Sequence, residues 1–350
     1  MSAKSKVIVT GGAGFIGSHT VVELAGAGYL PVIVDDLRNS EERVLAGIER
    51  IIGRKIPFHR VDCTDAAAMD AVMREEGPVS GVVHFAADKA VGESVQLPLR
   101  YYENNIGSLM VLLRTMAKHE VRHLVFSSSC TVYGQPDQLP VTESAPDRQA
   151  NSPYGFTKVA CEQLIRDVCA AEPSLSAVML RYFNPIGAHP SGAIGELPLG
   201  IPNNLVPYVT QTAAGIRERL TVNGNDYPTP DGSCVRDYIH VVDLARAHVR
   251  ALEWMHEAGT RSEVFNIGTG RGCSVLEVVK TFEEVNGVQV PFTIGPRRAG
   301  DVPVVYADTR KSERSLRWKA ERTLADALRD AWKWQQALAD HTATPSTTQM

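Results

Sequence analysis

Tyr154 and Lys158 stand four residues apart in Asn151-Ser152-Pro153-Tyr154-Gly155-Phe156-Thr157-Lys158, a spacing that sets a phenol beside an ammonium on one face of a helix. A nearby cation favours the phenolate. It brings a group with an unperturbed pKa of about 10 towards the operating pH, where it can take a proton from an alcohol. Ser129 supplies a third group, a hydroxyl able to hydrogen-bond the same alcohol oxygen. A Tyr/Lys pair at this spacing is a common coincidence, and a serine after a strand is more often a turn or cap, so the rest of the chain has to supply the context.

The elements around these residues can position them. Ser152 is a good N-cap, Pro153 suits a first helical turn, and Ala160, Leu164 and Val168 continue an apolar stripe, so Tyr154 and Lys158 fall in the first turns of a helix. Near the N-terminus, Val7-Ile8-Val9-Thr10 reads as a buried strand, followed by Gly11-Gly12-Ala13-Gly14-Phe15-Ile16-Gly17 and an apolar-periodic stretch to Ala27. Strand, glycine turn and helix in that order let backbone N–H groups and a helix N-terminus approach a pyrophosphate. A second strand, Val32-Ile33-Val34, ends in Asp35 roughly 20 residues on, where a carboxylate can bind an adenosine ribose and repel a 2′-phosphate. NAD is therefore expected over NADP, with either Asp35 or the adjacent Asp36 making the contact.

Strand-like and helix-like segments then alternate: 58–62, 66–74, 81–86, 99–119 and 124–128. This predicts an α/β fold, a Rossmann-type doubly wound parallel sheet, with ligands beyond the carboxyl ends of the strands. Asp62, the segment Phe85-Ala86-Ala87-Asp88-Lys89 and Ser127-Ser128-Ser129 fall at that rim. After a strand at 176–180 the character changes, and 185–207 is rich in Pro, Gly and Asn, as in an irregular loop. The expected organisation is a dinucleotide-binding domain over 1–181, a smaller C-terminal α/β lobe over 182–340 with returns to the first domain, and a polar tail over 341–350. Helices are expected at 244–255, from Ser274 with a Ser274/Glu277 capping box, and at 324–339.

With 350 residues, 44% of them hydrophobic and 22% charged, the chain can bury a large core. A net charge of −4 without a polybasic stretch argues against nucleic acid or an anionic membrane as partner. No apolar run approaches the roughly 18 residues of a spanning helix, and no signal-like segment precedes the first strand, so a cytoplasmic location is expected. Cys63, Cys130, Cys161, Cys169, Cys234 and Cys273 lack metal-ligand spacing, and no metal is expected. Cys130, beside Ser129, has no evident base to make it a nucleophile.

With Gly11, Gly14, Gly17, Asp35, Ser129, Tyr154 and Lys158 in place, the chain resembles the extended short-chain dehydrogenase/reductase superfamily. Longer strings make the likeness more specific: Arg181-Tyr182-Phe183-Asn184-Pro185-Ile186-Gly187-Ala188-His189-Pro190-Ser191-Gly192, Gly200-Ile201-Pro202-Asn203-Asn204-Leu205, and 224–241 around Val235-Arg236-Asp237-Tyr238. These are similar to the UDP-galactose 4-epimerases, over roughly 7–339. The resemblance implies a resident NAD, proton removal from the sugar 4-hydroxyl by Tyr154, a 4-keto sugar that turns over in its pocket, and inversion without net redox. It implies an NAD site of Gly11, Gly12, Gly14, Phe15, Ile16, Gly17, Asp35, Asn39, Asp62, Cys63, Phe85, Ala86, Lys89, Asn104, Ser129, Tyr154, Lys158 and Phe183. For UDP-galactose or UDP-glucose it implies Lys89, Ser129, Tyr154, Asn184, Asn204, Leu205, Arg236, Arg298, Asp301 and Val305. A homodimer through helices around 99–119 and 152–171 is also implied.

Two positions depart from the family pattern. Asp88 stands where relatives more often carry an apolar residue. Val305 stands where enzymes confined to glucose and galactose often carry tyrosine, so room for an acetamido group, and UDP-N-acetylhexosamine substrates, are expected. The competing readings are weaker on the residues. A nucleotide-sugar 4,6-dehydratase needs an Asp-Glu pair after the serine, and a decarboxylase a glutamate, whereas Cys130 and Thr131 follow here. A sugar reductase would need exchangeable NADPH, which Asp35 disfavours. A non-catalytic NAD-binding sensor has no need of an intact Ser129, Tyr154 and Lys158 set.

Overall fold

Residues alternate in side along β1 (Lys6–Thr10), with Val7 and Val9 in one buried cluster and Ile8 in another, and this two-sided burial organises the main sheet. The computed structural model describes residues 5–146, 150–258, 262–298 and 300–343; of the expected polar tail, 344–350 lie outside them. After β1 come α1 (Phe15–Gly26), β2 (Leu30–Val34), α2 (Arg43–Ile52), β3 (Phe58–His59), α3 (Ala66–Glu76) and β4 (Val79–His84). Then follow α4 (Val91–Gln96), α5 (Pro98–Tyr101), α6 (Gly107–Lys118), β5 (His123–Ser127), α7 (Pro153–Ala171) and β6 (Ser176–Tyr182). The chain next forms β7 (Asn184–Ile186), α8 (Leu205–Ala213), β8 (Leu220–Asn223), β9 (Val235–Arg236) and β10 (Tyr238–His240). It returns to the main sheet with α9 (Val241–Ala258) and β11 (Ser262–Ile267), and continues through β12 (Cys273–Ser274), α10 (Val275–Asn286), β13 (Phe292–Gly295), β14 (Val304–Val305) and α11 (Leu324–Ala343).

The main sheet is parallel, in the order β11-β6-β5-β4-β1-β2-β3. Strand order reverses between β1 and β4, which opens a crevice at their carboxyl ends, the usual ligand position in such sheets. One face packs Val21, Leu24, Leu244 and Leu252, from α1 and α9; the other packs Met69, Leu112 and Ile165, from α3, α6 and α7. A third cluster, including Val206, Val222, Val278, Phe282 and Leu328, sits under the later elements.

Several elements differ from the sequence reading: β3 stops at His59 and α9 runs from Val241 to Ala258. The helix expected over 99–119 is interrupted by a π-helical turn at Tyr102–Ile106, a wider turn that places consecutive asparagines on useful sides. Asn104 lines the crevice, while Asn105 is buried and donates to the Thr157 hydroxyl of α7 at 3.1 Å. The irregular loop contains one short strand, β7, held by parallel pairing to β10, a partner more than fifty residues away that no local pattern reveals. The last helix runs on to Ala343.

Candidate active site

The chain turns immediately after β1. Gly11 has φ +67°, and a Cβ on it would lie 2.7 Å from the Ala86 nitrogen. Gly17 is equally constrained, since its Cβ position lies 2.2 Å from the Gly11 carbonyl oxygen; only glycine lets α1 begin so close to the turn. Gly14 is the N-cap and no side chain caps this helix. Its first N–H groups are left for an anion in the cleft.

That cleft is lined by Gly11, Gly14, Phe15, Ile16, Gly17, Asp35, Asn39, Asp62, Cys63, Phe85, Ala86, Lys89, Asn104, Tyr154 and Lys158. Gly12 lies beneath it, where a Cβ would meet the Val9 carbonyl oxygen at 2.8 Å. Phe183 packs with Val132, Tyr133 and Val305 in a small buried cluster, and its neighbour Tyr182 lines the cleft instead. Asp35 is buried. It accepts from the Ala13 N–H at 3.0 Å, the Leu37 N–H at 2.9 Å and the Ser40 hydroxyl at 3.2 Å, so it braces the glycine turn. Burial pushes its carboxyl up, against the pull of these donors. Asp36 accepts from the Arg38 backbone at 2.9 Å and also pairs with its guanidinium.

α7 begins as its sequence predicts, with the Ser152 hydroxyl accepting from the Gly155 N–H at 3.2 Å and Pro153 in the first turn. A buried ion pair fixes this helix against the sheet. Arg181 on β6 donates to both carboxylate oxygens of Glu162, at 2.9 and 2.6 Å, and the Ser128 hydroxyl donates to one of them at 2.6 Å. Tyr154 and Lys158 are both buried, and the Lys158 ammonium donates to the Ser127 carbonyl at 2.8 Å. Ser129 caps the short helical turn Cys130–Tyr133, its hydroxyl accepting from the Thr131 N–H at 3.2 Å, and it is among the groups that act on the Tyr154 phenol.

The electrostatics here correct an expectation. Lys158 was expected to bring the Tyr154 phenol down, but burial drives it well above its ordinary value; the Tyr182 phenol adds to that, and only the Ser129 hydroxyl pulls the other way among the strongest influences. Burial also lowers Lys158, to about 8, and its nitrogen stands 5.9 Å from the centre of the Tyr154 ring. Desolvation at this depth outweighs a cation at that distance. Burial pushes the Cys130 thiol up to about 12, which leaves no thiolate to act as a nucleophile.

A second cleft opens two residues beyond Tyr182, and a cavity lined by Lys89, Glu196 and Asn204 shares residues with both clefts. Asn184, Asn204, Leu205, Arg236, Arg298 and Asp301 line the second cleft, together with Tyr208 and Cys234. Asp301 holds both arginines, with Arg298 at 3.1 Å and Arg236 at 3.6 Å. Val305 pairs in register with Arg236 and is buried beside Phe183, behind the cleft wall. Between the two clefts, Glu196 accepts from the Asn204 side chain at 2.5 Å and faces the Lys89 ammonium at 3.6 Å. Asp88 is buried and turned towards Arg100, 3.2 Å away. Sequence reasoning passed over Arg38, Tyr182 and Glu196. Tyr182 lay within a motif quoted for its neighbours, whereas nothing local marks an arginine two residues after Asp36 or an acid inside a Pro/Gly-rich loop.

The glycine turn, the uncapped helix start and the acid at the end of β2 together fit a dinucleotide, and the two arginines of the second cleft fit a diphosphate. The chain belongs to the NAD-dependent epimerase/dehydratase family, whose pattern matches residues 7–268. It is 53% identical over 330 residues, 94% of this chain and 95% of the other, to a UDP-glucose 4-epimerase of Dictyostelium discoideum. A crystal structure of a Stenotrophomonas maltophila UDP-glucose 4-epimerase with NAD and formylated UDP-arabinopyranose matches with TM-score 0.93 at 49% identity, covering 96% of this chain and 99% of that one. The Bifidobacterium longum UDP-glucose 4-epimerase, solved with NAD+ and UDP, matches with TM-score 0.92 at 48% identity, over 96% and 99% of the two chains.

Proposed function

We propose that this chain interconverts UDP-galactose and UDP-glucose, inverting carbon 4 of the hexose through a 4-keto intermediate with NAD as resident cofactor. What supports this reading is Tyr154 and Lys158 lining the cleft that fits a dinucleotide, with Ser129, which lines neither cleft, acting on the phenol, and an arginine-lined cleft that begins two residues beyond Tyr182. Bound NAD supplies a hydride acceptor that is also the donor for the return, and a cationic ring whose field favours a phenolate. Tyr154 takes the proton from the sugar 4-hydroxyl and gives it back on the other face. Ser129 orients that hydroxyl. Lys158 holds positive charge near the phenol, and Arg236 and Arg298 hold the diphosphate, so the hexose can turn while its nucleotide stays anchored. The test is product analysis after incubation with UDP-galactose and no added NAD. UDP-glucose is the expected product, and unchanged UDP-galactose even with NAD supplied would sink the proposal.

We also propose that UDP-N-acetylhexosamines are substrates. Val305 lines neither cleft but is small and packed behind the wall of the second, where a tyrosine would have to displace its neighbours or push into the sugar space. A homodimer is the proposed assembly, because α5, α6 and α7 leave Leu99 72%, Met110 38% and Phe156 48% exposed on neighbouring helices. The cofactor domain is assigned to 1–181 and the sugar lobe to 182–340, with the stretch from α9 to β11 returned to the first. No helix among the described residues is long and apolar enough to cross a membrane; the proposed location is cytoplasmic.

A further inference from the structure

Arg38 ties together three segments that the sheet order places on different sides of the glycine turn. Its Nε donates to Asp36, after β2, and one terminal nitrogen donates to Asp62, after β3. The other donates to the Asn104 side-chain oxygen at 3.2 Å, on the π-helical turn that follows β4. In the order β4-β1-β2-β3 the turn after β1 lies between the last of these anchors and the first two. All four residues line the same cleft, and the Arg38 side chain is 36% exposed. A planar fork with donors on three separate nitrogens reaches acceptors further apart than the single nitrogen of a lysine can.

We propose that Arg38 is a strap across the cofactor cleft, a positioning residue that slows escape of the dinucleotide by holding the β2 and β3 loops to the π-turn. The inference rests on the NAD reading above. Its chemistry suits a resident cofactor, since an enzyme that reduces and reoxidises one NAD in each turnover gains from keeping it. The anchors are partly exposed ion pairs, so the strap opens without unfolding and weakens as salt screens it. Asp36 and Asp62 gain a shared counter-ion in the same arrangement, which keeps two carboxylates tolerable on one rim.

The test uses NAD-loaded enzyme diluted into an excess of an unrelated alcohol dehydrogenase and its alcohol, the hydride donor, which together reduce only released NAD, with NADH absorbance reporting the release rate. Arg38→Ala is expected to raise that rate roughly 5- to 30-fold, from the worth of two exposed ion pairs, and Arg38→Lys by less. Raising salt from about 0.05 to about 0.5 M should speed release from the wild type and leave Arg38→Ala nearly unchanged, a difference that a merely structural arginine would not produce. Equal rates in wild type and Arg38→Ala, or equal salt acceleration in both, overturn the strap while leaving NAD binding in place. A protein that carries no NAD and takes up none overturns the dinucleotide reading along with it.

Discussion

The Lys158 ammonium stands 5.9 Å from the centre of the Tyr154 ring and donates to the Ser127 carbonyl at 2.8 Å, so the helical spacing that brings the two together does not by itself make the phenol acidic. Both are buried, and each resists its charged form. A base must nonetheless be made here. In the proposed reaction Tyr154 becomes the base only when the cleft is loaded, since bound NAD would supply the positive field that Lys158 alone does not.

Tyr154→Phe removes the proposed base and keeps the ring. Epimerisation should fall about 10²- to 10⁴-fold, the usual range for a positioned acid–base group, while NAD stays bound and the melting temperature changes little. Activity within tenfold of wild type in a UDP-galactose assay would exclude the assignment.

Lys158→Met should separate stability from activity. Burial lowers the lysine from 10.5 to about 8, so between those values the unfolded chain binds the extra proton and stability rises with pH. Below pH 8 the folded protein carries the full cost of a buried ammonium. NAD-free Lys158→Met is expected to be more stable than wild type at pH 7, by about 1–2 kcal/mol after the lost Ser127 bond is counted, with the gain shrinking as the pH rises towards 10.5. Its activity should be severely reduced. Denaturant titrations at several pH values check the sign.

Arg236→Ala addresses substrate anchoring. Arg236 is mostly buried at the wall of the second cleft, and loss of a charge-assisted bond to a diphosphate costs about 1.5–3 kcal/mol. KM for UDP-galactose and Kd for UDP should rise roughly 10- to 100-fold, more than kcat falls. A Kd for UDP equal to wild type, measured by calorimetry, would remove Arg236 from the nucleotide site.

Val305→Tyr tests breadth. Val305 is buried beside Phe183 and Tyr133, so a larger side chain must displace neighbours or enter the sugar space, at about 1–3 kcal/mol if the core yields. UDP-N-acetylglucosamine turnover should fall at least tenfold more than UDP-glucose turnover. Equal losses would point to damaged packing instead.

Phe156→Glu together with Leu99→Glu should yield monomers in sedimentation experiments. Phe156 lies on the outer face of α7, opposite the buried Tyr154 and Lys158, and its ring meets Tyr102 edge-on with centroids 6.0 Å apart. A wild-type monomer at micromolar concentration would refute the proposed assembly.

By itself the sequence determined the elements whose signals are local. Gly11 and Gly17 marked a turn that only glycine tolerates, Ser152 and Pro153 marked the start of α7, and the four-residue spacing of Tyr154 and Lys158 fixed their shared face. Alternating strand and helix patterns were enough for a parallel doubly wound sheet. The tertiary structure decided what depends on distant partners and on burial. β11 returns to pair with β6, Arg181 locks onto Glu162, and Arg38 reaches Asp62 and Asn104, each across a separation that no periodicity encodes. Burial likewise raised the Tyr154 phenol and lowered the Lys158 ammonium, because desolvation depends on everything packed around a group, whereas spacing reports only its neighbours along the chain.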